Sequence, residues 1–145
     1  MLFYTGIQCV WCFTINISGK TYIEAGVPYM VTCSVSQYGD NRVTLYMVKL
    51  SETDTQTFTI AHSKSIGCFY QGSGAYLTCQ SGLCSCDVNG LATHWTYYIS
   101  DNLTSTVMFS CSSNDNNEVL QTSNKWTPTI PRKCLVFMFY TFLCC

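Results

Sequence analysis

Charge is what this chain has least of. Asp, Glu, Lys and Arg make up 10% of its 145 residues, against about 25% in an ordinary soluble domain. Hydrophobic residues reach 48%, so the wet surface must be built mainly from the hydroxyls and amides of Ser, Thr and Asn. The formal net charge is -1 and no basic run interrupts the sequence, which removes the electrostatic footprint through which proteins hold nucleic acid. Two histidines and eight acids are all that proton chemistry could draw on. There is no nucleophile elbow, no carboxylate pair set among apolar residues, no phosphate-binding loop and no HExxH helix. The chain is therefore expected to be non-catalytic, with no cofactor, no metal and no nucleic-acid partner.

A membrane-spanning run is also missing. Residues Met1 to Phe13 (MLFYTGIQCVWCF) are apolar enough for the core of a signal peptide, but no Lys or Arg precedes them and no small-residue cleavage motif follows. They read as a degenerate or truncated signal region, or as a strand. The run Cys134 to Cys145 (CLVFMFYTFLCC) would span about 18 Å as a helix, against a hydrocarbon core of about 30 Å. Attachment to a membrane would need an anchor that is missing or cut short. Residues 1–20 are accordingly expected to be an N-terminal segment, 21–131 one domain and 132–145 a short hydrophobic tail.

Cysteine, by contrast, is abundant. Eleven in 145 residues exceed what a reducing cytosol usually holds without metal, and an oxidising compartment is expected. Two acceptor sequons, at Asn16 and Asn102, agree with that as candidate glycosylation sites. Two cysteines sit at the centre of matching patterns. In Tyr29 to Ser36 (YMVTCSVS), Tyr29, Val31, Cys33 and Val35 alternate with Thr32, Ser34 and Ser36; in Ser105 to Ser112 (STVMFSCS), Val107, Phe109 and Cys111 share one side. Each reads as a strand with one buried face, and Cys33 and Cys111 become natural partners across two facing sheets.

Between them lie further strand signals. Thr21 to Glu24 reads as a short first strand, Val43 to Leu50 (VTLYMVKL) as a central one, and Thr57 to His62 as an edge strand because threonines dominate it. Asn89-Gly90 is the strongest hairpin turn, leading into Leu91 to Ser100, where Trp95, Tyr97 and Ile99 share a face. A last strand is expected over Val119 to Trp126, before the TPTIP segment breaks regular structure. His62, alone on its strand, is read as a surface or hydrogen-bonded residue rather than a catalyst.

Residues Ile66 to Asn89 carry Cys68, Cys79, Cys84 and Cys86 among turn formers. Four cysteines allow three pairings, and Cys84 with Cys86 is disfavoured because residues two apart on a strand sit near the upper limit for bridging. Of the two nested or crossed arrangements that remain, Cys79 with Cys84 and Cys68 with Cys86 is preferred. A zinc site from Cys79, Cys84, Cys86 and either His94 or Cys68 is the competing reading, but the spacing lacks paired CxxC knuckles and an oxidising compartment would consume the thiols. Cys9-x2-Cys12 has no matching second pair.

With YMVTCSV, VTLYMVKL and STVMFSC followed by a polar loop, residues Thr21 to Pro131 resemble a variable-like domain of the immunoglobulin superfamily. They look most like the divergent domains of invertebrate secreted or cell-surface proteins. The resemblance implies an all-β, antiparallel β-sandwich, here with extra disulfides. It departs in having no tryptophan in the Val43 strand, where Tyr46 or Leu45 would pack on the disulfide and Trp95 would fill the volume, in having Phe109 where a corner tyrosine would stand, and in its four extra cysteines. It also implies an extracellular recognition or adhesion module binding a protein or glycan, a second copy of itself included. The loops after the two cysteine strands would then lie at one end, with Gln37, Tyr38, Asp40, Asn41, Asn114, Asp115 and Asn116 as candidate contact residues and Tyr38 as anchor. The alternative is a small disulfide-stapled secreted effector or inhibitor, without that topology and with only local cysteine pairings.

Overall fold

The computed structural model describes residues 13–24, 26–37, 42–49, 55–63, 67–71, 74–97, 106–114 and 118–130. They form ten strands in two antiparallel sheets and no helix. The first sheet runs β1 (Ile15–Gly19), β2 (Tyr29–Val35), β8 (Ala92–Tyr97), β7 (Cys84–Cys86). The second runs β10 (Leu120–Thr122), β9 (Val107–Asn114), β3 (Arg42–Lys49), β4 (Thr55–Ser63), β5 (Gly67–Gln71), β6 (Tyr76–Thr78). This is an all-β sandwich with extra disulfides, and its topology is compatible with an immunoglobulin-like fold.

The core lies between the sheets and follows the alternation of the sequence. Tyr29, Val31 and Cys33 of β2 face Val107, Phe109 and Cys111 of β9, all of them buried. Aromatic contacts cross the gap: Tyr29 stacks on Phe109 at 5.9 Å, Tyr97 meets Phe109 edge-on at 6.2 Å, and Trp95 sits 4.4 Å from Phe58 and 6.0 Å from Tyr70. Trp95 thus fills the interior from β8. Leu45, opposite Cys111 in the β3–β9 ladder, is the buried neighbour of the disulfide, whereas Tyr46 points to the outer face and accepts a hydrogen bond from Ser112.

All three expected disulfides are present. Cys33–Cys111 joins β2 to β9 across the sandwich, Cys68–Cys86 joins β5 to β7 and so crosses it a second time, and Cys79–Cys84 brackets the turn by which the chain passes from β6 to β7. The long-range bond, with a sequence separation of 78, sets this chain apart from a scaffold held by local pairings alone. Disulfides of this number belong to an oxidising environment.

Three strand expectations are corrected. The first strand is Ile15–Gly19, not Thr21–Glu24. Ile15 and Ile17 face inward while Asn16 and Ser18 face out, and the strand pairs with β2 along its whole length. A boundary at Thr21 therefore cuts a strand from the sandwich. Residues 21–24 instead meet the chain beyond β10, where Tyr22 makes a single parallel bridge to Thr129, with Ile23 and Thr129 amides donating at 2.9 and 2.8 Å.

The second correction is that β4 is interior, since β5 and β6 extend the sheet beyond it. Its threonines line the outer, wetted face rather than an edge. The third concerns Val119 to Trp126, which does not form one strand. Ser123 pairs with Cys111 and Trp126 with Phe109, so three steps on one side span two on the other, a bulge that ends β10 at Thr122.

Candidate functional site

One end of the sandwich gathers the strand ends next to the two loops singled out in the sequence. The hydroxyl of Ser113, near the end of β9, donates to the Arg42 carbonyl at the start of β3 at 2.7 Å. The stem of the β9–β10 connection therefore touches the stem of the β2–β3 connection. At the same end the Val35 amide donates to Leu91 and the Ser36 amide to Thr14, both at 2.9 Å. Ala61 of β4 lies opposite Arg42, so the β4–β5 connection leaves from here as well. The strand ends that bound four connections, and the start of β1, thus share this rim.

Of the candidate contact residues, Gln37 and Asn114 are half-buried at the stems. Tyr38, Asp40, Asn41, Asp115 and Asn116 lie outside the described residues. The structure adds the turn Asp87–Leu91, which sequence reading recognised as a hairpin without assigning it to this rim. Here the Asn89 side chain accepts from the Leu91 amide at 3.0 Å, the Gly90 amide donates to Asp87, and Gly90 takes φ 70°, the left-handed geometry an Asn-Gly hairpin turn requires. Val88 at its tip is 99% exposed. Pairing of the following strand with the Cys33 strand, Ser34 opposite Ala92, is the signal that would have placed it. Val119 and Leu120, also exposed, flank the same rim.

His94 forms a line of polar groups on the outer face of the smaller sheet. Its Nδ1 lies 2.9 Å from Thr32 Oγ1 and its Nε2 3.1 Å from Asp87 Oδ1. Hydroxyl, imidazole and carboxylate in that order also make a nucleophilic triad. Here Thr32 is mid-strand between β1 and β8, so the neighbouring amides belong to ladders on both sides and do not converge on a developing oxyanion. The line ties the rim turn to two strands. His62, 7% exposed, faces the interior opposite Cys68.

The thiols a zinc site would need are bonded in pairs, and among the described residues no group of three potential ligands is arranged for a metal. A shallow depression at the far end is lined by Lys20, Tyr22, Glu24, Val27, Pro28 and Tyr29. Asn16 is exposed on β1, and Asn102 lies outside the described residues. No helix among the described residues is long and apolar enough to cross a membrane. No protein-family model matches the chain, and a search of curated proteins finds no match.

Proposed function

We propose that this chain is a variable-like domain of the immunoglobulin superfamily that works outside the cell as a non-catalytic recognition or adhesion module, binding a protein or glycan through the rim that carries Gln37, Asp87, Val88 and Asn114. Strand order supports the family reading. The set β1-β2-β8-β7 matches an A-B-E-D sheet, and β10-β9-β3-β4-β5 matches the G-F-C-C′-C″ sheet of a variable-type domain, with β6 added at its edge. The three disulfides and the exposed sequon at Asn16 support an extracellular setting.

The observation that supports the binding reading is the contact between Ser113 and Arg42, because it joins the strand ends that bound the β2–β3 and β9–β10 connections. Loops held by a rigid sandwich are where such folds put recognition, and Ser, Asn, Gln, Gly and Tyr are the adaptable mixture that suits it. The test is a binding screen against immobilised glycans and displayed extracellular proteins, the chain itself among them. A Tyr38→Ala, Val88→Ala, Asn116→Ala variant with wild-type circular dichroism should lose the partners the parent captures. A variant of the outer sheet face, Thr59→Arg, should keep them. The opposite pattern would move the site to the sheet face.

A further inference from the structure

Two of the disulfides touch each other. Sγ of Cys68 lies 3.4 Å from Sγ of Cys79, although Cys68 is bonded to Cys86 and Cys79 to Cys84. We propose that these four cysteines are a thiol–disulfide exchange relay, which responds to a dithiol reductant by moving the Cys68 bond from Cys86 to Cys79.

Backbone geometry prepares the new bond. The Cys79 amide donates to the Cys68 carbonyl at 2.9 Å, one step beyond the Phe69–Thr78 pair of β5 and β6. The two cysteines are therefore direct neighbours on antiparallel chains, whose Cα separation of about 4.5–5.5 Å falls within the range a disulfide spans. Access differs between the bonds in the same direction. Cys68, Cys79 and Cys86 are partly exposed, whereas Cys33 and Cys111 are 3% and 0% exposed, so a soluble thiol reaches the cluster and not the central bond.

The chemistry closes without any further reagent. One thiolate of the reductant attacks Cys86 Sγ, forms a mixed disulfide and releases Cys68 as thiolate. Cys68 then attacks the adjacent Cys79 Sγ; the Cys68–Cys79 bond forms, the Cys79–Cys84 bond breaks, and Cys84 leaves as a thiolate that takes up a proton. The second thiol of the reductant attacks the mixed disulfide, closes its own disulfide and frees Cys86 as a thiol. The reductant loses two electrons and two protons, and the protein holds them on Cys84 and Cys86. Those two, separated by one residue on β7, sit near the upper limit for bonding to each other and remain reduced.

The exchange changes the architecture as well as the pairing. Cys68–Cys86 ties one sheet to the other, while Cys68–Cys79 lies within a single sheet. Once it forms, β7 is held by its three-residue ladder to β8 and no longer by a bond to β5. Because β7 runs into the Asp87–Leu91 turn, the event reaches the rim.

The full oxidised chain is treated with dithiothreitol limited to one equivalent, alkylated, and digested with chymotrypsin, which cuts after Phe69 and Leu83 and so separates Cys68, Cys79 and the Cys84–Cys86 pair. The two-electron form should contain a Cys68–Cys79 bond with label on Cys84 and Cys86. Finding Cys68–Cys86 or Cys79–Cys84 intact in that form overturns the relay. A second arm compares single variants with a trace of monothiol. Cys84→Ser should carry Cys68–Cys79 and a labelled Cys86, while Cys79→Ser should keep Cys68–Cys86 and label Cys84. Retention of Cys68–Cys86 in Cys84→Ser also refutes the proposal, and if that variant does not fold the wild-type map decides alone.

Discussion

The indole N–H of Trp126 donates to the phenol oxygen of Tyr29 at 2.9 Å, across 97 positions of sequence. Tyr29 in turn donates to the Lys20 carbonyl at 2.6 Å. One buried hydroxyl thereby joins β2 to the chain that follows β1 and to the chain that follows the bulge. Tyr29→Phe keeps the ring and strands both partners, at a cost of about 2–3 kcal/mol. Gly19→Ala should act on the same bond, since an added Cβ would lie 2.5 Å from the Tyr29 hydroxyl and 3.2 Å from the Met30 carbonyl. Urea unfolding of the two single variants and the double should show less than additive losses; fully additive losses would mean that Gly19 does not work through Tyr29.

Alkaline pH should weaken the fold through the same group. Burial raises the Tyr29 pKa above its ordinary 10.0, with the Trp126 hydrogen bond acting in the opposite direction. Above about pH 10 the unfolded chain gives up this proton while the folded chain keeps it, so stability is full below that pH and falls as the pH climbs toward the raised folded value. Unfolding free energies measured between about pH 9 and 11 should fall less steeply for Tyr29→Phe than for the parent. Equal slopes would remove Tyr29 as the source.

The three disulfides should differ in worth according to the loops they close. For sequence separations of 78, 18 and 5, the chain-entropy relation gives about 4.5, 3 and 2 kcal/mol. Paired alanine variants at Cys33 and Cys111, Cys68 and Cys86, and Cys79 and Cys84 should lose stability in that order in guanidinium titrations. A Cys79/Cys84 variant less stable than the Cys33/Cys111 variant would reverse it.

Asn16 should carry a glycan when the chain is made in a secretory host. Its side chain is exposed on β1, and Ser18, the sequon hydroxyl, lies on the same face two residues on. Glycosidase treatment should increase gel mobility, and Asn16→Gln should remove one step of that shift. An unchanged shift in the variant would assign all modification elsewhere.

Much of this architecture is written in residue alternation. Cys33 and Cys111 stand on short period-two patterns that survive folding unchanged, and Asn89-Gly90 makes its turn by local backbone preference alone. β1 was hidden for a physical reason: its two inward isoleucines follow an apolar run that resembles a signal core, so the alternation is too short to stand out. Thr57 to His62 reads as an edge because hydroxyls mark water contact, and sequence does not separate a wetted face from a wetted edge. The rim was legible only from its loops' composition, and the contact between Ser113 and Arg42 depends on the β3–β9 register, which sets Thr44 opposite Ser112. The approach of Cys68 to Cys79 likewise comes from the β5–β6 register, which the turn residues between them do not reveal.

The central disulfide also decides how this domain would behave under tension. Pulled from its two ends, the chain could lengthen only through the residues outside the Cys33–Cys111 loop, by stripping β1 and β10 from their neighbours. The chain enclosed by the bond, a sequence separation of 78 and about 260 Å when fully extended, would carry no load at all, so a stretched domain would stop short at a fixed length and keep β3 to β8 folded behind a covalent stop.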